Sequence, residues 1–199
     1  TGVQTCALPI CLVVGALRDL PGGSGVHALT EAAKDALART NAELLRRGSL
    51  TPDRTMGATV VVLAADADEF VCLWAGDSRA YRFRNGKLTQ LTHDHRYVQT
   101  LIDAGLLSEK DVEKHPRRNV ITRAVGVDAD LKLDVCEGAL EAGDVFLLTS
   151  DGVTGLCSND EIAGFLSSKG IESAADSIVE TCLARGAPDN LSLVLIRRL

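Results

Sequence analysis

The chain has 199 residues, 46% of them hydrophobic and 24% charged, the balance of a soluble globular protein with enough material for one core. A formal net charge of −6 and only 4% aromatic residues argue against nucleic-acid binding, which needs a basic face and a stacking platform. The six cysteines, at 6, 11, 72, 136, 157 and 182, include no Cys-x-x-Cys pair, which argues against structural zinc or a disulfide framework and for a reducing cytoplasm.

Residues 1–10 carry no charge and fit no period. They resemble a translated sequencing-adapter peptide and are read as non-native, leaving 11–199 as one domain. The apolar run from Cys6 to Leu17 is short of the ~20 residues that span a bilayer and lacks a preceding basic segment, so no membrane anchor is expected. Cys11 to Leu20 reads as the tail of a helix stopped by Pro21-Gly22-Gly23. Ala28 to Arg47 reads as an amphipathic helix with Ala32, Ala36, Leu37, Leu44 and Leu45 on its apolar stripe, capped by Thr30 and ended by Gly48.

Thr59–Ala65 and Glu69–Ala75 are expected to form a hairpin about Asp66-Ala67-Asp68. Arg79–Arg84 and Lys87–Thr92 form a second one about Asn85-Gly86, a strong two-residue hairpin signal. Alternation in Tyr81-Arg82-Phe83-Arg84 predicts one wet face, whereas 59–65, 71–75 and 191–196 are apolar on both faces, as in sheets covered on two sides. Arg96–Gly105 reads as a helix, and Ser108-x-x-Asp111 as a capping box with Asp for Glu, opening a short helix to Lys114. Leu131, Leu133 and Val135 alternate with Lys132, Asp134 and Cys136 as a half-exposed strand. Ser158-Asn-Asp-Glu161 is a capping box for a helix to Ser168, and Ser173–Arg185 is a second helix ended by Gly186. The pattern predicts an α+β fold of two packed antiparallel sheets flanked by helices.

Three carboxylates stand at strand ends. Asp151 follows Val145–Thr149, Asp77 follows Val71–Ala75, and Asp189 precedes Leu191–Ile196. Each alone reads as a turn residue, since Asp caps its own backbone and the neighbouring Gly tolerates positive φ. If the strands beside Asp151 and Asp189 are antiparallel neighbours, both carboxylates reach one sheet edge, and Asp77 can join them from a third strand. Their mutual repulsion is then relieved by a hard divalent cation. The pair His93-x-His95 reads as surface polar groups rather than as metal ligands.

The ordered set Met56-Gly-Ala-Thr59, Gly76-Asp-Ser-Arg-Ala-Tyr81, Leu91-Thr-His-Asp-His95, His115 to Gly126, Ser150-Asp-Gly152 and Pro188-Asp-Asn190 resembles the type 2C metal-dependent protein serine/threonine phosphatases, bacterial type. That resemblance implies an α-β-β-α sandwich and hydrolysis of phosphoserine and phosphothreonine on proteins by metal-activated water. It implies Mg²⁺ or Mn²⁺ as cofactor, two ions and a third, weaker one. Asp151 and Asp189 would serve one of the pair, and Asp77 with Asp151 the third. Arg117, Arg118 and Arg123, on a helical flap about 93–126, would attract the phosphorylated substrate. The implied partners are phosphoproteins of a serine/threonine kinase pathway, with no nucleic acid, no membrane and a monomeric, cytoplasmic protein; nothing in the sequence selects the pathway.

Family members begin with an Arg-bearing strand and an Asp-Gly-x-Gly motif that are absent from this sequence, so the first strands and the bridging ligand are expected to be missing and the chain as printed to be inactive. Two alternatives stand beside this reading. One is a catalytically dead phosphatase-like module that binds or regulates a partner. The other is an esterase using Ser78 of Gly76-Asp77-Ser78, for which no histidine follows His115 to act as base.

Overall fold

The computed structural model describes residues 8–20, 25–50 and 56–199. A helix α1 (Leu8–Arg18) and a long helix α2 (Val26–Ser49) precede the hairpins β1 (Val60–Ala65)–β2 (Glu69–Ala75) and β3 (Arg79–Arg84)–β4 (Lys87–Gln90). A short helix α3 (Tyr97–Asp103) and a 3₁₀ helix at Glu109–Lys114 lead to β5 (Asp134–Ala139) and β6 (Val145–Thr149). A single turn α4 (Asp151–Thr154), helices α5 (Asn159–Ser168) and α6 (Ile171–Ala184), and β7 (Leu193–Arg197) complete the described chain.

The strands form two antiparallel sheets, ordered β1-β2-β5 and β4-β3-β6-β7. Strand β2 shows why they stack. Its residues Val71 and Leu73 pack with Val26, Ala33 and Ala64 under α2, while Cys72 and Trp74 pack with Ala80 of the second sheet. A strand apolar on both faces is thus buried on both, as its sequence demands. Phe70 meets Phe146 edge-on across the layers, with ring centroids 4.9 Å apart. On the far face of the second sheet, Tyr81, Val145 and Leu147 pack with Ile162, Leu166 and Ile178 of α5 and α6. The expected α-β-β-α sandwich is therefore the observed one.

Local signals with a specific geometry hold. Asn85 and Gly86 take φ of 51° and 78°, as the two-residue turn requires. The Ser158 hydroxyl accepts from the Glu161 N–H, and the Glu161 side chain accepts from the Ser158 N–H, so the capping box is complete.

Others shift. Helix α1 begins at Leu8, so the boundary placed after residue 10 falls inside an element; residues 1–7 and the predicted Pro21-Gly22-Gly23 stop lie outside the described residues. Thr30 is not a cap. It is buried inside α2 with its hydroxyl donating to the Val26 carbonyl at 2.7 Å. Ser108 caps no backbone group and instead donates to the Asp111 carboxylate at 2.6 Å. Cys72, Cys136, Cys157 and Cys182 are free thiols, but Cys11 is disulfide-bonded, against the expectation of unlinked cysteines.

Three strand faces also depart from expectation. The strand predicted at 131–136 starts three residues later, and Val135, at 44% exposure, faces outward. Arg82 does not lie on a wet face but turns between the sheets, its guanidinium carbon 5.9 Å from the centre of the Phe70 ring. In β7, Val194 and Ile196 are 53% and 42% exposed. An apolar groove of about 470 Å³ opens there, lined by Val14, Leu17, Val60, Leu148, Leu193 and Val194.

Candidate metal centre

Strand β6 is the middle of the site. It pairs antiparallel with β3 on one side, Arg79 opposite Thr149, and with β7 on the other, Thr149 opposite Leu193. The end of β6 therefore lies beside the starts of both neighbours. Asp151 is two residues past Thr149, Asp77 two residues before Arg79, and Asp189 four residues before Leu193. The neighbouring-strand condition posed by the sequence is met, and all three carboxylates belong to one edge of the second sheet.

Two glycines fix the approach of these segments. Gly76 takes φ of 122°, and a Cβ there would strike the Thr59 side chain; the chain can turn from β2 toward Asp77 only without a side chain at this point. Gly152 has no positive φ, but a Cβ on it would collide with the Asn190 carbonyl oxygen. Its role is close approach. The Ser150 N–H donates to the Ser192 carbonyl at 3.0 Å, and the Ser192 N–H donates to the Ser150 hydroxyl at 3.2 Å. Asp151 and Asp189 thus sit on two knitted backbone segments. Gly152→Ala is expected to cost ~2 kcal/mol, since backbone must move to admit the methyl, a fall of ~6 °C in Tm at this size. Gly164→Ala, with nothing within 4 Å of the added Cβ, should instead stabilise α5 by ~0.5–1 kcal/mol. Thermal unfolding of the two variants checks the contrast; an unchanged Tm for Gly152→Ala would show that the approach is looser.

Asp77 is buried, at 6% exposure. Burial, followed by the Asp151 carboxylate, pushes its carboxyl above the usual range, while Arg96 pulls the other way. Arg96 is not free to neutralise it, because it pairs with the buried Asp94 at 2.8 Å. Asp94 also takes both forks of Arg79, at 2.8 and 2.7 Å. A buried carboxyl beside a second carboxylate, with the nearby guanidinium engaged elsewhere, is a place for a hard cation.

Behind it stands His95, buried at 6% exposure and not the surface group its sequence context suggested. Its Nδ1 accepts the Gly76 N–H at 3.1 Å, which leaves the proton on Nε2, 3.1 Å from the Asp134 carboxylate. Asp134 also accepts from Arg123 at 2.7 Å. Burial would raise the Asp134 carboxyl, but the His95 and Arg123 partners outweigh it and hold it below the usual range. This chain props the Gly76-Asp77 turn from below. The segment Leu91–His95 was legible as a motif, but the burial of Asp94 and His95 depends on tertiary packing that the sequence does not show.

The predicted residues do not all converge. Asp77 precedes β3 at the end of the β3–β6 pair where Asp151 follows β6, whereas Asp189 is exposed on the adjoining loop, its Oδ1 accepting the Asn190 N–H at 2.7 Å. Among the described residues no group of three or more His, Cys, Asp or Glu is gathered as a metal site. The pair fits one hard cation that keeps most of its own water; the donors for a two-ion centre are not assembled among these residues. Of the flap arginines, Arg117 and Arg118 are exposed, Arg117 lying over the Tyr97 ring at 5.3 Å, and Arg123 is tied to Asp134. Ser78 faces the Thr59 hydroxyl at 3.0 Å, and both nitrogens of buried His95 are engaged elsewhere, so Ser78 lacks the base an esterase needs.

The family model for protein phosphatase 2C matches residues 13–195. The chain belongs to the protein phosphatase 2C family. It is 34% identical over 191 residues to the serine/threonine protein phosphatase PstP of Mycobacterium tuberculosis, covering 92% of this chain and 36% of that protein. With the serine/threonine phosphatase stp of Listeria welshimeri it shares 34% identity over 144 residues, 72% of this chain and 57% of that protein. This phosphatase-family chain thus spans only about a third to just over half of those curated relatives. Among solved structures, PppA, a key regulatory component of T6SS in Pseudomonas aeruginosa, is 37% identical with a TM-score of 0.89, covering all of this chain and 83% of that one. The catalytic domain of PstP in complex with 2 manganese ions is 29% identical with a TM-score of 0.80, covering 94% of this chain and 79% of that one.

Proposed function

We propose that the edge formed by Asp77, Asp151 and Asp189 is the metal side of a site that hydrolyses phosphoserine and phosphothreonine monoesters on proteins. The observation that carries it is the register of β3 with β6, which brings buried Asp77, before the start of one strand, and Asp151, after the end of the other, to the same end of the pair, in a chain of this family. A bound Mg²⁺ or Mn²⁺ supplies charge neutralisation for the phosphoryl oxygens and lowers the pKa of a water. Asp77 and Asp151 would hold that ion and Asp189 would join them from its loop, while the Asp94 and His95 hydrogen bonds hold the segments beside Asp77. Arg117 and Arg118, exposed on the flap, meet the phosphate-bearing segment of the substrate. The flap itself is pinned to the domain by Asn41, which donates to the Asp128 carbonyl at 2.8 Å and accepts the Gly126 N–H at 2.6 Å.

The substrates are phosphoproteins made by a serine/threonine kinase, and the protein acts as a cytoplasmic monomer; no helix among the described residues is long and apolar enough to cross a membrane. A second reading, a phosphoprotein-binding module without turnover, is favoured by the lack of a three-donor group among the described residues. Phosphate release from a phosphothreonine peptide separates the two. The first reading expects release that requires Mn²⁺, stops with chelator and falls to background in Asp151→Asn, a result that would also overturn the expectation, drawn from the missing Asp-Gly-x-Gly motif, of an inactive chain. Release that persists in chelator overturns it, and peptide binding without release at any Mn²⁺ concentration favours the second.

A further inference from the structure

Cys72 of β2 and Cys136 of β5 are directly opposite each other in the antiparallel register. Directly opposed residues in such a pair have Cα atoms about 4.5–5.5 Å apart, inside the range of about 4.4–6.8 Å that a disulfide bridges. Both are free thiols, both belong to the cluster between the sheets, and they differ in access. Cys72 lies on the central strand and is fully buried, whereas Cys136 lies on the edge strand and is partly exposed. Arg82 of β3 reaches into the same space from the other sheet, beside Phe70 and Gly138, with its buried Nε lacking any hydrogen-bond partner. A guanidinium placed between two sheets with a donor unsatisfied is a costly feature that calls for an explanation.

We propose that Cys72 and Cys136 form a peroxide-responsive thiol pair that closes to a cross-strand disulfide. The Cys136 thiolate attacks a peroxide oxygen, forming an S–O bond as the O–O bond breaks and hydroxide leaves. Cys72 then attacks the Cys136 sulfenic sulfur; the S–S bond forms, the S–O bond breaks, and the hydroxyl departs as water with the Cys72 proton. Two thiols lose two electrons in all, and the peroxide is reduced to two waters. Access assigns the roles: Cys136, partly exposed on the edge strand, meets the peroxide, and Cys72, buried directly opposite it on the central strand, reaches the oxidised sulfur. The contact between the two thiols and then, after opposing burial, the nearby Arg82 charge lower the Cys136 thiol, in the sense that a peroxide-reactive cysteine needs.

Native protein treated with hydrogen peroxide and mapped by peptide mass spectrometry tests this. The expected product is a cross-linked peptide pair containing Cys72 and Cys136, lighter by two hydrogens and reversed by dithiothreitol. Cys72→Ser should leave a Cys136 sulfenic acid that a dimedone probe captures, and Arg82→Met should slow closure about tenfold, as loss of one stabilising charge beside a thiolate implies. The wild-type map stands even if a variant fails to fold. Oxidation of Cys157 or Cys182 ahead of this pair, irreversible oxidation of Cys136 without a cross-link, or a pair inert to peroxide would overturn the proposal.

Discussion

Asp77→Asn is expected to raise the Tm of the metal-free protein and at the same time to weaken its response to Mn²⁺. The Asp77 carboxyl is raised by burial and then by Asp151, with Arg96 opposing. An acid whose folded pKa lies above its unfolded value, here 3.8, favours the fold below that value. That contribution is lost as pH rises through the folded pKa. At neutral pH the ionised side chain therefore works against folding. Asn keeps the shape without the charge, and relief at such functional positions is typically about 1 kcal/mol, or ~3 °C for a chain of this size. The difference from wild type should shrink toward zero as pH is lowered to about 4 and below. Addition of Mn²⁺ should reverse the order, stabilising wild type and leaving the variant nearly unmoved. Melting curves in chelator and in Mn²⁺ across that pH range check both halves, and a variant that melts below wild type in chelator at neutral pH would contradict the first.

Asp94→Ala should have the opposite and larger effect on stability. Its side chain is 2% exposed and its carboxylate is shared by Arg79 at 2.7 Å and Arg96 at 2.8 Å, each arginine side chain only 22% exposed. Burial alone would lower the Arg79 guanidinium, yet the Asp94 hydrogen bonds hold it well above its usual value. Removing the anion leaves two half-sequestered cations without it, and breaking a buried ion pair in this way costs ~3–5 kcal/mol, or about 10 °C in Tm. Arg96 is then released toward Asp77, so Mn²⁺ binding should weaken as well. Denaturant unfolding with a Mn²⁺ titration reads both effects; a variant within about 1 kcal/mol of wild type would show that the network is solvated rather than structural.

How much of this was legible beforehand depends on how local the cause is. The Asn85-Gly86 turn and the Ser158–Glu161 capping box are set by backbone geometry within a few residues, and both form as read. Strand β2, apolar on both faces, announced a two-sided burial that α2 and the second sheet provide. The antiparallel pairing of β6 with β7, from Val145–Arg197 to Thr149–Leu193, followed from the strand ends, but it brings the segments of Asp151 and Asp189 side by side without gathering three carboxylates into one group among the described residues.

What failed required knowledge of the partner layer. Arg82 looks wet in its own strand because its alternation matches a half-exposed face, but that face is covered by Phe70 of the other sheet. His95 looks like a surface polar group until Gly76 and Asp134 are seen to take its two ring nitrogens. The exposed Val194 and Ile196 reverse the error: their strand reads as buried on both faces, yet an open apolar groove lies between Val194 and Val60 of β1. Thr30 was misread for a different reason, since α2 begins four residues earlier and turns an apparent cap into a hydroxyl donating to the carbonyl four residues back.

Mn²⁺ affinity, followed by electron paramagnetic resonance during titration, addresses the acidic edge most directly. Wild type should bind the ion, and Asp151→Asn and Asp77→Asn should each weaken binding at least ~10-fold, about 1.4 kcal/mol per lost carboxylate. Asp160→Asn, on the first turn of α5 away from the edge, should leave it unchanged. Equal affinity in all four proteins would mean that no ion is held where the ends of β3, β6 and β7 meet.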